Sequence, residues 1–466
     1  MNTFKIIQAT LAVAFLLTLV GMAPAAEPRG GTIWYVDHAA EGEDDGTSWE
    51  DAFNDLIFAL DASESGDEIW VAAGTYSPAK ADDEFGIWPI RFLLPAGVAL
   101  YGGFDGTEDE RDQRDWLANS TTLTGDIGNG DNTAPVVGVE QATEGTRVDG
   151  FTITEGVGGN GAGISVANGE GMVIENVDLI DNETPQWGGG LLVNNAGPIV
   201  RNVRLIENFA GFQGGGLFIQ GSDSHPILIN VTFRENSSPN NGGAIYSEDN
   251  GLTAFNVRFL DNQSSGGGAI TCNNCNIEIV NGLFVNNRGS FRGGVLENVV
   301  NGEVTLTNVT AWGNEAGGSG QGGAIGGGAQ TIINNSIFWG NGDDAIENFN
   351  NSVTPSHSLF EDENPPGDGN LDGTDADNTP IVVRLPDADD DDYGDLRMLP
   401  ESPTINQGNS DLLPADEFDI DGDGNTSEPL PLDLDGNTRV IGSAVDLGPF
   451  EYNELLDLIF GDRFRN

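Results

Sequence analysis

The residues best placed to do chemistry lie near the C-terminus, in Asp419-Ile420-Asp421-Gly422-Asp423-Gly424-Asn425. Acids at the first, third and fifth places, with glycine at the sixth, open an EF-hand-type calcium loop. Oxygen donors at that spacing can wrap one hard cation. Asp419, Asp421, Asp423 and Asn425 are therefore the candidate metal ligands, and Ca2+ is the expected cofactor. The pattern breaks at the twelfth place, where Leu430 stands instead of a bidentate glutamate. Glu428, Asp433 or Asp435 could substitute for it. The alternative is a solvated acidic turn, and Asp372–Asp377 and Asp389–Asp392 read as solvated loops.

Cys272 and Cys275 form a C-x-x-C in Thr-Cys-Asn-Asn-Cys-Asn. A zinc site needs further ligands, and His38, His225 and His357 are far apart in sequence. A redox C-x-x-C opens a helix in a βαβ setting, whereas this one lies between strand-like runs. A local disulfide across a turn of an exported protein is the preferred reading. Trp187, Phe212 and Phe291 each follow a repeat asparagine by four or five residues. Stacked in one turn, these rings could meet sugar faces, although intervening turns carry Pro239 and Ser265 and ordinary turn packing competes.

Catalysis has weaker support. Residues 150–360 hold 19 acids, six arginines (Arg201, Arg204, Arg234, Arg258, Arg288, Arg292) and no lysine. A glycosidase needs two placed carboxylates, and Asp343-Asp344 and Glu248-Asp249 are the adjacent acid pairs of that segment. No acid cluster stands beside the arginines in sequence.

These residues must be positioned by an unusual chain. It has 466 residues, 74 acids against 18 Lys+Arg, and a net charge of −56. Nucleic acid is excluded as a partner, because binding it requires a basic face. Gly accounts for 67 residues, which excludes a helical bundle and calls for many turns. Lys5, an apolar stretch from Ile6 to Met22 and Ala23-Pro24-Ala25 read as a signal peptide over 1–25. No later run is long enough for a membrane helix, so no transmembrane segment is expected in the mature chain.

Seven segments fit Asn-x-x-Φ-x-x-Asn, where Φ is mostly Leu or Phe. They begin at Asn176, Asn202, Asn230, Asn256, Asn281, Asn308 and Asn335, with spacings of 26, 28, 26, 25, 27 and 27 residues. Each period holds about three short strands and three turns, the signature of a parallel β-solenoid. Alternation points Val177/Leu179, Val203/Leu205, Val231/Phe233 and Val257/Phe259 inward. It points Asp178 and Arg204 outward on neighbouring coils, as a structural pair. Asparagine tolerates the left-handed conformation of tight turns and can form side-chain ladders. The first asparagine of each unit should thus stack on the next.

Gly-Gly-Ala-Ile at 242–245, 267–270 and 322–325, with Phe-Arg-Glu-Asn (233–236), Phe-Leu-Asp-Asn (259–262), Phe-Val-Asn-Asn (284–287) and Phe-Trp-Gly-Asn (338–341), resembles the polymorphic outer membrane protein repeat. The resemblance implies an all-β, right-handed parallel β-helix of the pectin-lyase-like class on a bacterial surface. Polysaccharide lyases of this fold resemble one another in using calcium-binding acids with an Arg or Lys base, which these arginines do not match in sequence. A helix near 48–62, capped by Thr47-Ser48, should close the N-terminal end of the core. Gly-Thr-Ser-Trp (46–49), residues 67–76 and residues 100–108 resemble the N-terminus of secreted bacterial β-helix proteins.

Residues 361–466 carry 28 acids and 5 basic residues. Residues 397–408, 433–439 and 445–451 resemble the choice-of-anchor Q domain, which implies a region closing a surface β-helix. The expected organisation is a signal peptide at 1–25, an N-terminal cap and first coils at 32–149, repeats at 150–360, the acidic region at 361–451 and a tail at 452–466. The expected function is that of an exported, non-catalytic surface or extracellular protein, an adhesin or glycan binder. Its partner would be a polysaccharide or cell-surface glycan. The alternative is a polysaccharide lyase or glycoside hydrolase on the same scaffold.

Overall fold

The computed structural model describes residues 30–78, 91–128, 131–317, 322–342, 345–346, 352–387 and 392–454. The signal segment 1–25, the pair Asp343-Asp344 and most of the tail 452–466 lie outside the described residues.

The chain winds into a right-handed parallel β-helix. Every coil pairs in register with the next. Asp178 lies beside Arg204, Arg204 beside Thr232, Thr232 beside Arg258 and Arg258 beside Leu283. The alternation expected from the repeat is observed: Val177, Leu179, Val203, Leu205, Val231, Phe233, Val257 and Phe259 are all buried. Phe233, Phe259 and Phe284 stack face to face at centroid distances of 5.0 and 4.5 Å. Those distances are close to the strand spacing of a sheet, so one rotamer repeats from coil to coil.

The two asparagines of each unit do different work. The first bends the strand between two walls. Asn176, Asn202, Asn230, Asn256, Asn281, Asn308 and Asn335 all have φ between 51° and 55°. Their side chains are linked from Asn202 to Asn176 at 3.3 Å, from Asn230 to Asn202 at 3.2 Å and from Asn281 to Asn256 at 2.9 Å. The second asparagine forms a buried ladder through Asn182, Asn208, Asn236, Asn262, Asn287, Asn314 and Asn341. Each Nδ2 donates to the next Oδ1 at 2.9–3.1 Å. That same Oδ1 also accepts the preceding asparagine's backbone N–H. The ladder thereby satisfies the corner N–H groups that would otherwise be orphaned inside the coil.

The N-terminal helix is shorter than expected, spanning Leu56–Ala62 with Asp55 as its N-cap. Ser48 and Asp51 exchange hydrogen bonds at 3.1 and 3.2 Å, but the exchange closes a turn instead of opening the helix. The reason lies at Phe53. Its N–H donates to Tyr35 O and its carbonyl accepts from Asp37 N, both at 2.9 Å. Pairing with the strand Ile33–Val36 removes those groups from any helix. Leu56, Ala59 and Leu60 are buried against the first coils.

The acidic C-terminal region returns along the solenoid and covers one wall of its later coils. Leu396, Leu434 and Phe450 pack on Leu260, Leu283 and Val285. Leu430, Phe418 and Ile420 pack on Phe255 and Val280, and Leu447 packs on Ile337 and Leu359. Asn281 Nδ2 donates to Leu432 O, Asn308 Nδ2 to Asp446 O and Asn335 Nδ2 to Asn409 O. Asn256, Asn281, Asn308 and Asn335 are therefore buried, whereas Asn202 and Asn230 on the uncovered coils are exposed.

Candidate functional site

The calcium-like loop lies in this C-terminal strap. Asp419, Gly422 and Gly424 take positive φ values of 50°, 77° and 84°, which curl the chain so that its carboxylates converge. Carboxylate oxygens of Asp416, Asp419 and Asp421 lie within 4.8 Å of one another, as do those of Asp421, Asp423 and Glu428. Asp421 thus joins two triads. Asn425 is turned aside: its amide donates to Glu428 Oε2 at 3.1 Å and its oxygen accepts from Ser427. Asp416 and Glu428 enter instead. Asp416 is fully buried, and burial followed by the charges of Asp421 and Asp419 pushes its carboxyl up. Glu428 is pushed up by desolvation and then by Asp423 and Asp421. Its Oε1 is buried and accepts no hydrogen bond. A hard cation would satisfy that oxygen and relieve the mutual repulsion. The signal for Asp416 in sequence is its position three residues before Asp419, outside the loop pattern.

A second arrangement lies on another wall of the solenoid. Trp187 and Phe212 meet edge to face at 6.1 Å, and Trp187 also lies 5.9 Å from Phe218. Outward residues Leu192, Phe218 and Tyr246 line up beneath them. Phe212 is 51% exposed and Trp187 half-buried. Gln213 pairs in register beside Trp187. Asn194, Gln220, Glu248 and Asn273 follow one another on successive rungs of the same wall. Asn273 Nδ2 donates to Tyr246 Oη and Glu248 Oε1 at 3.3 and 3.0 Å. Phe291, 68% exposed, donates its backbone N–H to Ser265 O and stands apart from the ring pair. Cys272 and Cys275 are bridged and buried, at the corner where this wall ends.

The uncovered coils bring acids and arginines together that the sequence separates. Asp149, Glu175 and Arg201 occupy successive rungs. Arg147 lies 2.6 Å from Glu175 and 3.5 Å from Asp149, and Arg114 lies 2.8 Å from Asp149. Arg204 grips Asp178 through two nitrogens at 2.5 and 2.6 Å, the pair expected from the coil spacing. Adding one period of 26 residues to Asp149 and then to Glu175 would have located this group. Arg258, by contrast, lies beneath the strap, 3.2 Å from Leu434 O.

Residues 230–248 match the Chlamydia polymorphic membrane protein repeat. No curated protein matches the chain in sequence. Among solved structures, pectate lyase Pel9A superposes with a TM-score of 0.53 at 16% identity, over 90% of this chain and 96% of that one. A rhamnogalacturonan lyase gives a TM-score of 0.34 at 11% identity, over 70% of this chain and 87% of the other. The first likeness shows the β-helix fold. Among the described residues, no helix is long and apolar enough to cross a membrane.

Proposed function

We propose that this chain is exported and acts, without catalysis, as a β-helix surface or extracellular protein that binds glycans in an adhesive role. The observation that carries the reading is the Trp187–Phe212 ring pair set beside the amides of Gln213, Gln220 and Asn194. Rings lie against the C–H faces of sugars, and amides and carboxylates take their hydroxyls. A net charge of −56 repels polyuronates and leaves other glycans as the partner class. In the same reading the strap, similar to a choice-of-anchor Q domain, is ordered by Ca2+ at Asp416, Asp419, Asp421, Asp423 and Glu428.

The pectate-lyase-like fold and the meeting of Asp149, Glu175 and Asp178 with arginines favour a second reading, a polysaccharide lyase. Such an enzyme must abstract a proton from its substrate. Burial works against the charge of Arg147, yet the charges around it, Glu175 and Asp149 among them, leave its pKa raised. The hydrogen bond to Asp178 raises Arg204. Guanidiniums held in this way are poor bases, which favours the non-catalytic reading.

The test is a glycan array with product analysis, run with and without Ca2+. Binding without new reducing or unsaturated ends is expected. Steady release of unsaturated products from pectate or alginate, lost in Arg147→Ala and Arg204→Ala, would overturn the non-catalytic assignment.

A further inference from the structure

The acidic loop of the strap is closed at its neck. Asp416 N–H donates to Glu428 O and Leu430 N–H to Pro414 O, both at 2.8 Å, and Ala415 bridges Pro429 in antiparallel fashion. Two arms leave this neck and meet around Asp421. One arm carries Asp416 and Asp419, the other Asp423 and Glu428. Each arm leads into the contact with the solenoid. Phe418 and Ile420 lie on the first and Leu430 just beyond the second, and all three pack on Phe255 and Val280.

Distance limits how many of these carboxylates one ion can hold. Oxygens bound to Ca2+ lie at about 2.4 Å, so two of them on the same ion are at most about 4.8 Å apart. The five acids do not meet that limit as one set. They divide into Asp416, Asp419 and Asp421, and Asp421, Asp423 and Glu428. In the second set Glu428 Oε1 is closed to solvent and has no hydrogen-bond partner, although Oε2 of the same carboxyl is held by the Asn425 amide. A buried polar atom left in this state is costly, and a cation would satisfy it. In the first set Asp416 is fully buried, and both its oxygens share the Ile420 N–H at 2.9 Å. The charges acting on Asp416 and on Glu428 all come from other acids of the loop. The backbone N–H groups of Gly424, Asp423 and Asn425 reach Oδ1 of Asp419, Asp421 and Asp423 in turn, which leaves Oδ2 of each to a metal.

We propose that the loop holds two calcium ions, one in each arm, with the Asp421 carboxylate bridging them. The inference rests on the calcium reading of the strap and adds to it the number of ions and a place for each. Charge agrees with the distances. One ion leaves the five carboxylates with three uncompensated charges, and two ions leave one. The first ion ties Asp416 and Asp419 to the tip and so braces the arm that carries Phe418 and Ile420. The second ties Asp423 and Glu428 to the same tip and braces the arm that leads to Leu430.

The experiment titrates Ca2+ into the full chain by calorimetry, in salt at physiological strength so that diffuse attraction to the acidic surface is screened. The variants are Asp419→Asn for the first arm, Glu428→Gln for the second and Asp421→Asn for the bridge. Each keeps the size of the side chain, and asparagine tolerates the φ of 50° at position 419. Strap melting in chelator checks that each variant is folded. The charge-matched control is Glu41→Gln/Glu50→Gln/Glu64→Gln, all exposed at the other end of the chain. Wild type should bind two ions that the control retains. Asp419→Asn and Glu428→Gln should each weaken one of the two about tenfold or more and leave the other within about threefold, and Asp421→Asn should weaken both. A single ion, weakened alike by Asp419→Asn, Glu428→Gln and Asp421→Asn, would overturn the two-ion site and leave the calcium reading standing. Binding that Asp421→Asn does not alter would remove both. Equal loss in the control would reduce the count to bulk charge and overturn the site.

Discussion

Asn262 offers the sharpest test of what holds the coils together. Its Oδ1 accepts the N–H and the Nδ2 of Asn236, both at 3.0 Å. Its Nδ2 donates to Phe233 O at 3.0 Å and to Asn287 Oδ1 at 2.9 Å. In Asn262→Ala all four contacts go. Asn236 Nδ2 keeps Leu205 O at 2.8 Å, and Asn287 Oδ1 keeps the Asn262 N–H at 3.0 Å. The Asn236 N–H loses its acceptor, and Phe233 O loses a donor. Each buried polar group left unsatisfied costs roughly 1–3 kcal/mol, so the variant should lose about 4 kcal/mol. The control is Asn202→Gly, on the exposed corner. It forfeits two contacts at 3.2 and 3.3 Å but relieves a φ of 53°, and should stay within about 1 kcal/mol of wild type. Denaturant unfolding followed by tryptophan fluorescence compares them, with slopes checked for loss of cooperativity. If Asn262→Ala costs no more than Asn202→Gly, the buried ladder is ornament and packing alone stacks the coils.

Two further outcomes concern the strap. Millimolar Ca2+ should raise its melting transition relative to chelator, by mass action on the folded form, and Asp421→Ala/Asp423→Ala should remove the difference; coincident calorimetric traces would reduce the loop to an acidic turn. Burial lifts Glu451, despite neighbouring Arg439, from an ordinary 4.5 to about 8. A carboxyl raised on folding gives stability that is complete below 4.5 and lost as pH rises through 8. Strap stability should therefore fall by about 1.4 kcal/mol per pH unit across that window, and Glu451→Gln should flatten the profile; a stability that rises from pH 5 to 8 and is unchanged in Glu451→Gln would refute the assignment.

Much of the solenoid was legible because a coil repeats its solution. Alternation at Val231/Phe233 and its counterparts gave the inward side chains, and the period gave the Asp178–Arg204 pair. The helix limit was not legible, because Phe53 is drawn into backbone pairing with Tyr35 and Asp37 by a tertiary contact that no local pattern carries. The strap's seat was partly written in the chain. Outward positions read Asp178, Arg204 and Thr232 on the early coils, then Arg258, Leu283, Thr310 and Ile337 on the later ones, where two of the four are apolar. The apolar Leu283 and Ile337 are the outward residues of this row that the strap's side chains cover. At the loop, Asp419, Asp421 and Asp423 followed from spacing, while the buried Asp416 required knowledge of how the chain curls back. The second asparagine of each unit also hid its role, because a ladder and a turn leave the same letter.

The strap makes the two halves of the stack mechanically unequal. A bare coil is held by its neighbours alone, so a pull along the axis can peel it off rung by rung. The coils carrying Arg258, Asn281, Asn308 and Asn335 are also tied across several rungs to Leu434, Leu432, Asp446 and Asn409. Peeling any one of these rungs must first break bonds to a segment that grips the others. Under load the N-terminal coils would lengthen gradually, and the strapped block would hold its length until the strap let go as a unit.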